Sequence, residues 1–132
     1  MMIKTMCLKI ATVLMPVMIL WSSASHANDA PLSEISAIPN TALIMVTSPS
    51  CPWCDAFEEE VGHIYGQTPE SAKFPLHRID YFTKFTKPLA DIQAAYVTPT
   101  FIVIRGFQEI GRIEGYPGDE MFWWRFSEYT HN

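Results

Sequence analysis

Apolar positions along the chain fall into short runs separated by clusters of Pro, Gly and Ser. Residues 42–47 (ALIMVT) are nearly continuous apolar residues of strand length, which predicts a buried strand. Ser48, Pro49 and Ser50 break that run, and from Cys51 the period changes. Trp53, Phe57, Val61 and Ile64 recur at spacings of three and four, with Glu58, Glu59 and Glu60 as the solvated face of the predicted helix. Thr68 and Pro69 open a helical turn in a loop, and residues 74–81 (FPLHRIDY) predict a second strand. Thr86 as N-cap, Pro88 in the first turn, and Leu89, Ile92 and Ala95 on one face predict a second long helix. Residues 101–104 (FIVI) predict a third strand; Gly106 to Gln108 turn the chain, and 109–113 (EIGRI) return it as a hairpin partner. A last helix runs from Met121 to His131 with Phe122, Phe126 and Tyr129 on one stripe. Trp123 and Trp124 stand about 100° apart on it, so the two rings cannot both face one core. Upstream, Ser33, Glu34, Ile35 and Ile38 predict a short helix ended by Pro39.

A strand–helix–strand unit implies parallel strands joined by a right-handed crossover, and the closing hairpin adds an antiparallel edge. The expected architecture is therefore α/β: a mixed central sheet of about four strands with helices on both faces.

The first residues do not belong to this pattern. Lys4 and Lys9 precede an apolar stretch at 10–21, and Ser25 and Ala27 follow it as a small-x-small pair. That is the layout of a secretory signal peptide over residues 1–27, leaving 28–132 as one domain. The apolar stretch is short against the roughly 20 residues of a permanent anchor. Cleavage removes two lysines and no acid, so the net charge moves from −5 to −7. Such a balance argues against nucleic acid or an anionic membrane as the main partner. The compact signal, with no N-x-S/T pattern at Asn28, Asn40 or Asn132, points to a bacterial periplasm.

Cys7 leaves with the signal, so the chemistry rests on Cys51 and Cys54. Three readings compete for SCPWCD. A zinc site needs two more suitably spaced ligands, and His63, His77 and His131 form no such array. A structural staple closing so short a loop would stabilise little, in a domain large enough to hold a core without it. A redox couple fits the position best. Cys51 stands where a strand gives way to a helix, whose free N–H groups and dipole favour a thiolate. Pro52 suits the first helical position, because it lacks an N–H that would have no partner there. Cys54 lies three residues on, one turn deeper. This makes Cys51 the nucleophile toward a substrate disulfide and Cys54 the thiol that resolves the mixed disulfide. Downstream, Pro99 opens a strand, one of the few places where a sheet tolerates proline. Cis and trans are both open at Thr98–Pro99; a cis bond would set the Thr98 backbone beside the cysteines for an extended peptide.

Together, strand–CPWC–helix and the VTPTF of Val97 to Phe101, followed by a hairpin and a helix, resemble the thioredoxin-fold thiol:disulfide oxidoreductases across essentially the whole mature chain. The resemblance implies that Cys51 attacks, Cys54 resolves and Pro99 is cis. Pro52, Trp53, Thr98 and Pro99, beside the cysteines or brought there by a cis Pro99, are the candidate substrate-binding residues. The stretch GRIEGYPG at 111–118, with Phe122 and Trp123, is similar to the exported thioredoxin-like proteins of bacterial sulfur oxidation, the SoxS/SoxW type. That similarity implies a periplasmic reductase of a partner protein's thiol, supplied with electrons by a membrane thiol transporter. No cofactor or metal is implied, and a monomer is expected.

The motif departs from cytosolic thioredoxins. Those have C-G-P-C, a Trp before the first cysteine and a buried Asp six residues before it; here these places hold Pro52-Trp53, Ser50 and Met45. Strong periplasmic oxidases of this fold carry C-P-H-C. Trp53 is uncharged and stabilises a thiolate less than an imidazole, so the couple is expected to be less oxidising. Trp53 is also either a contact for a protein substrate or a packed ring. The 116–118 loop either borders the peptide groove or is simply a turn. The alternatives to a reductase are a disulfide-forming oxidase and a non-catalytic adaptor of the same fold.

Overall fold

A computed structural model describes residues 35 and 37–131. The export segment and the helix expected around Ser33 and Glu34 lie outside these. Nine residues of alternating environment explain the centre of the fold. In β1 (Thr41–Thr47), Leu43 and Met45 point into one core, and Ala42, Ile44 and Val46 into another. The same split holds in β3 (Thr100–Arg105), with Phe101 and Val103 on one side and Ile102 and Ile104 on the other. Strands apolar at every position are buried on both faces, which places β1 and β3 in the middle of a sheet. The order is β2-β1-β3-β4, where β2 is Leu76–Asp80 and β4 is Gln108–Glu114. β1 and β2 are parallel, with Leu43 opposite Leu76; β1–β3 and β3–β4 are antiparallel. This is the mixed four-stranded sheet expected of the sequence.

The β3–β4 turn is built by Gly106 and Phe107, both at positive φ (63° and 62°), the geometry that matches the strands' own twist. Further along β4 a bulge lies opposite Val103 and Ile104. At Gly111 a side chain would overlap the ring of Tyr129, so the bare backbone is what lets that ring lie on the strand.

The parallel crossover from β1 to β2 runs through the cysteine helix. Pro52–Phe57 is α-helical, Glu58–Gly62 is a π turn, and His63–Tyr65 is α again; together they form α1, residues 52–65. Its buried stripe is Cys54, Phe57, Val61 and Tyr65, while Trp53 and Ile64 face water. The sequence spacing pointed instead to Trp53 and Ile64. The π turn adds residues per turn and shifts the face toward Tyr65, a change that apolar spacing does not report. Glu58 folds back over Gly62, where a Cβ would overlap its carboxylate, and accepts two hydrogen bonds from Arg78 of β2 at 2.5 and 2.7 Å. Both side chains are about two-fifths exposed, so this tie contributes about 0–1 kcal/mol. A short helix, α2 (Pro69–Lys73), follows with Thr68 as its cap. The last helix, α3 (Asp119–Thr130), places Phe122 and Phe126 in the same core as α1. Trp123 stacks on Tyr65 with centroids 5.9 Å apart, and Trp124 is exposed.

The opposite face is covered by Ile35, Ile38, Leu89, Ile92 and Ala95. The helix expected from Thr86 to Ala95 is a pair of turns instead. Leu89 N–H donates to Thr86 C=O (2.7 Å) and Ile92 N–H to Leu89 C=O (3.0 Å), and the Lys87–Pro88 bond is cis. Successive three-residue turns bring Leu89, Ile92 and Ala95 to one face as a helix would, so the apolar spacing alone could not separate the two.

Candidate active site

β1 delivers the chain to Ser50, whose φ of 57° lies in the left-handed region, a conformation that costs a non-glycine residue roughly 1–2 kcal/mol. The chain then enters Cys51, which is extended (φ −99°, ψ 99°) and caps α1. Its carbonyl accepts from Cys54 N–H at 3.0 Å and Asp55 N–H at 3.1 Å. Its Sγ accepts from Cys54 N–H at 3.2 Å. The sulfur thus stands at the positive end of the helix with a donor aimed at it, and that environment favours a thiolate when the pair is reduced. Pro52 occupies the first helical position and is exposed.

Cys51 and Cys54 are joined in a disulfide, their Cα atoms 5.2 Å apart. Cys51 keeps 7 % of its surface and Cys54 4 %. Cys51, whose place at the helix head suggested an exposed nucleophile, is thus buried in this disulfide-bonded couple. Cys54 packs in the core that contains Phe57, Met45 and Phe101. Trp53, between the cysteines, is 64 % exposed, so it is not a packed ring.

The Thr98–Pro99 bond is cis, and Pro99 is buried. Two contacts hold this loop near the couple. The Ser48 and Thr98 hydroxyls share a 2.8 Å hydrogen bond, linking it to the segment that leads into Cys51. Gly115 N–H donates to Pro99 C=O at 2.8 Å, which sets the 115–118 loop against Pro99. Tyr116 in that loop is buried, edge-on to Phe57 at 5.5 Å. Its hydroxyl donates to Glu60 Oε2 of α1 at 2.6 Å. Burial first, and then the Glu60 carboxylate, push the Tyr116 hydroxyl well above the ordinary tyrosine range. Among the described residues, no three His, Cys, Asp or Glu side chains gather as a metal site would require.

No protein-family model and no curated protein matches the chain. Among solved structures, it superposes on the reduced form of the periplasmic thioredoxin SoxS from Paracoccus pantotrophus. The TM-score is 0.60 at 30 % identity, covering 67 % of this chain and 94 % of that one. This chain belongs to the thioredoxin family. A second match, the Malassezia sympodialis thioredoxin Mala s 13, has a TM-score of 0.55 at 16 % identity over 69 % of this chain and 78 % of that one, and shows the shared fold. With its Cys51–Cys54 pair, this thioredoxin-family protein is a thiol:disulfide oxidoreductase.

Within this thioredoxin, the departures from the cytosolic motif have structural consequences. Met45 is buried in the core that holds both cysteines, so no carboxylate from that position reaches Cys54. Glu58 is committed to Arg78. Sequence reasoning passed over two features. The Glu60–Tyr116 bond joins residues 56 positions apart, and no local signal marks it. Tyr81, Phe82, Tyr96 and Val97 are all exposed and line one groove with Ser48 and Thr98. Tyr81 closes the segment predicted as the second strand, and Tyr96 and Val97 lie between Ala95 and the third predicted strand, so no periodicity marks their exposure.

Proposed function

We propose that this protein is an exported oxidoreductase that works mainly as a reductase of a partner protein in the periplasm. Residues 1–27 are the cleaved signal, and 28–132 form the working, monomeric domain. The observation that carries the direction is Trp53. This second of the two residues between the cysteines at the head of α1 is uncharged and turned to water, so the helix end stabilises the Cys51 thiolate without help from a neighbouring imidazolium.

In this mechanism the Cys51 thiolate attacks one sulfur of a substrate disulfide. One S–S bond breaks as the other forms, and the substrate leaves one thiolate behind, to be protonated from water. Cys54 then loses its proton and attacks Cys51 Sγ, closing the Cys51–Cys54 bond and releasing the second substrate sulfur as a thiol. Two electrons have passed to the substrate, and a membrane dithiol carrier restores them by the same exchange. Pro52, Trp53, Thr98 and Pro99 form the edge on which the substrate lies, with the Thr98 backbone pairing to its extended chain. The similarity to the periplasmic thioredoxin SoxS supports this location and substrate class.

The deciding experiment is Cys54→Ser in cells. With no resolving thiol, the mixed disulfide at Cys51 accumulates and mass spectrometry names the partner. Recovery of no protein adduct, with wild type active on disulfides in vitro, would replace the protein substrate by a small thiol. Alkylation of free thiols in the same cells should find the wild-type couple mostly reduced; a mostly oxidised couple would make it a disulfide-forming enzyme instead.

A further inference from the structure

The segment that delivers Cys51 and the segment that carries Pro99 are far apart in the chain, and the Ser48 and Thr98 hydroxyls join them by a 2.8 Å hydrogen bond. Each partner stands on a fixed base. Ser48 follows directly on β1, whose last residue, Thr47, accepts Tyr81 N–H through its carbonyl at 2.8 Å. Thr98 lies in a turn where Thr100 Oγ1 donates to Val97 C=O at 2.8 Å. On the far side of Thr98, Gly115 N–H donates to Pro99 C=O at 2.8 Å. The turn is thus braced at Val97 and at Pro99, and the Ser48 hydroxyl braces Thr98 between them.

The hydroxyl of Ser48 does no work for its own neighbourhood. β1 ends one residue before it, and α1 is capped by Cys51. Its partner lies 50 residues away. The bond runs from side chain to side chain, so it consumes neither the N–H nor the C=O of Thr98. Threonine has few χ1 states, and each suits only part of backbone φ/ψ space, so a held Oγ1 also restricts the backbone that bears it.

We propose that Ser48 is a positioning residue: through Thr98 it keeps the edge that receives the substrate backbone in register with Cys51 Sγ. This rests on the reading in which the Thr98 backbone pairs with an extended protein substrate. With the bond removed, Thr98 gains other rotamers, and a peptide paired to it presents its disulfide to Cys51 in the attacking geometry less often. A disulfide without peptide groups makes no use of that edge, and its reaction depends on Cys51 alone.

The test mixes the full mature chain, reduced beforehand and serving as the sole reductant, with two probes. One is a pentapeptide with a central cysteine, joined to a second copy as a disulfide; the other is bis(2-hydroxyethyl) disulfide, which has no peptide groups. Each turnover oxidises the Cys51–Cys54 dithiol to its disulfide and reduces the probe to two thiols. Ser48→Ala should lower the second-order rate constant on the peptide about fivefold, the worth of one hydrogen bond between neutral groups, and leave the rate on the small disulfide as it is. Thr98→Val, which deletes the partner hydroxyl at nearly constant shape, should give the same selective loss, and the double variant should lose no more than either single one. A peptide rate unchanged in Ser48→Ala, an equal fall on both probes, or losses that multiply in the double variant would each overturn the positioning role and leave the oxidoreductase standing. A wild type that reduces the small disulfide but not the peptide overturns the protein-substrate reading together with it.

Discussion

Replacing Trp53 by histidine tests the argument about electron flow. The perturbation is local: Trp53 is 64 % exposed, so its loss should change stability by no more than about 0.5 kcal/mol. An imidazolium at this position would stand near the Cys51 sulfur, which already accepts Cys54 N–H at 3.2 Å. At a separation of about 5 Å and an effective dielectric of about 40, suited to so open a site, the attraction between imidazolium and thiolate is about 1.7 kcal/mol. That lowers the Cys51 pKa by about one unit relative to wild type. Stabilising the thiolate stabilises the reduced form, so the same energy raises the reduction potential by up to about 35 mV. The pKa is read from thiolate absorbance or alkylation rate against pH, and the potential from equilibration with glutathione buffers. Trp53→Ala, which removes the ring without adding charge, should move the potential far less. An unchanged or lower potential in Trp53→His, with its Cys51 pKa unmoved, would refute the electrostatic argument and remove Trp53 as the reason for calling this a reductase.

Other contacts give smaller, separate readouts. Tyr116→Phe deletes only the hydroxyl bonded to Glu60, a charge-assisted hydrogen bond with a partly exposed acceptor; unfolding should be easier by about 1 kcal/mol, a few degrees in Tm. The raised Tyr116 pKa means that the unfolded chain ionises first, so wild-type stability should fall as pH rises above about 10, and more gently in Tyr116→Phe. His77 is shifted the opposite way for its type: burial lowers its pKa, so the unfolded chain takes up the proton first as pH falls. Chemical denaturation should therefore show stability dropping below about pH 6.5, with a shallower drop in His77→Gln; parallel curves for the two would refute the assignment.

Much of the fold was legible because its signals are local. The all-apolar β1 and β3 announced central strands, the positive-φ pair Gly106-Phe107 falls in the expected hairpin turn, and Thr68-Pro69 opens α2 where the cap pattern put it. The Thr86–Ala95 segment misled because its period of three to four residues is shared by a helix and by consecutive turns. Along α1, the π turn rotated the buried face from Ile64 toward Tyr65, and within it the bare Gly62 leaves room for Glu58 to reach Arg78 on another element.

The same division separates the site. The sequence by itself determined the chemistry: two thiols three residues apart at a strand-to-helix junction, a proline for the first helical position, an uncharged residue between them and no carboxylate at position 45. These follow from residue type and short-range geometry. Only the tertiary structure decided what surrounds them. It brought Ser48 to Thr98 and Glu60 to Tyr116 across 50 and 56 residues, and gathered Phe82 and Tyr96 into one open groove. Those contacts depend on how the sheet stacks its loops at one end, and no repeat in the chain encodes which loops will meet there.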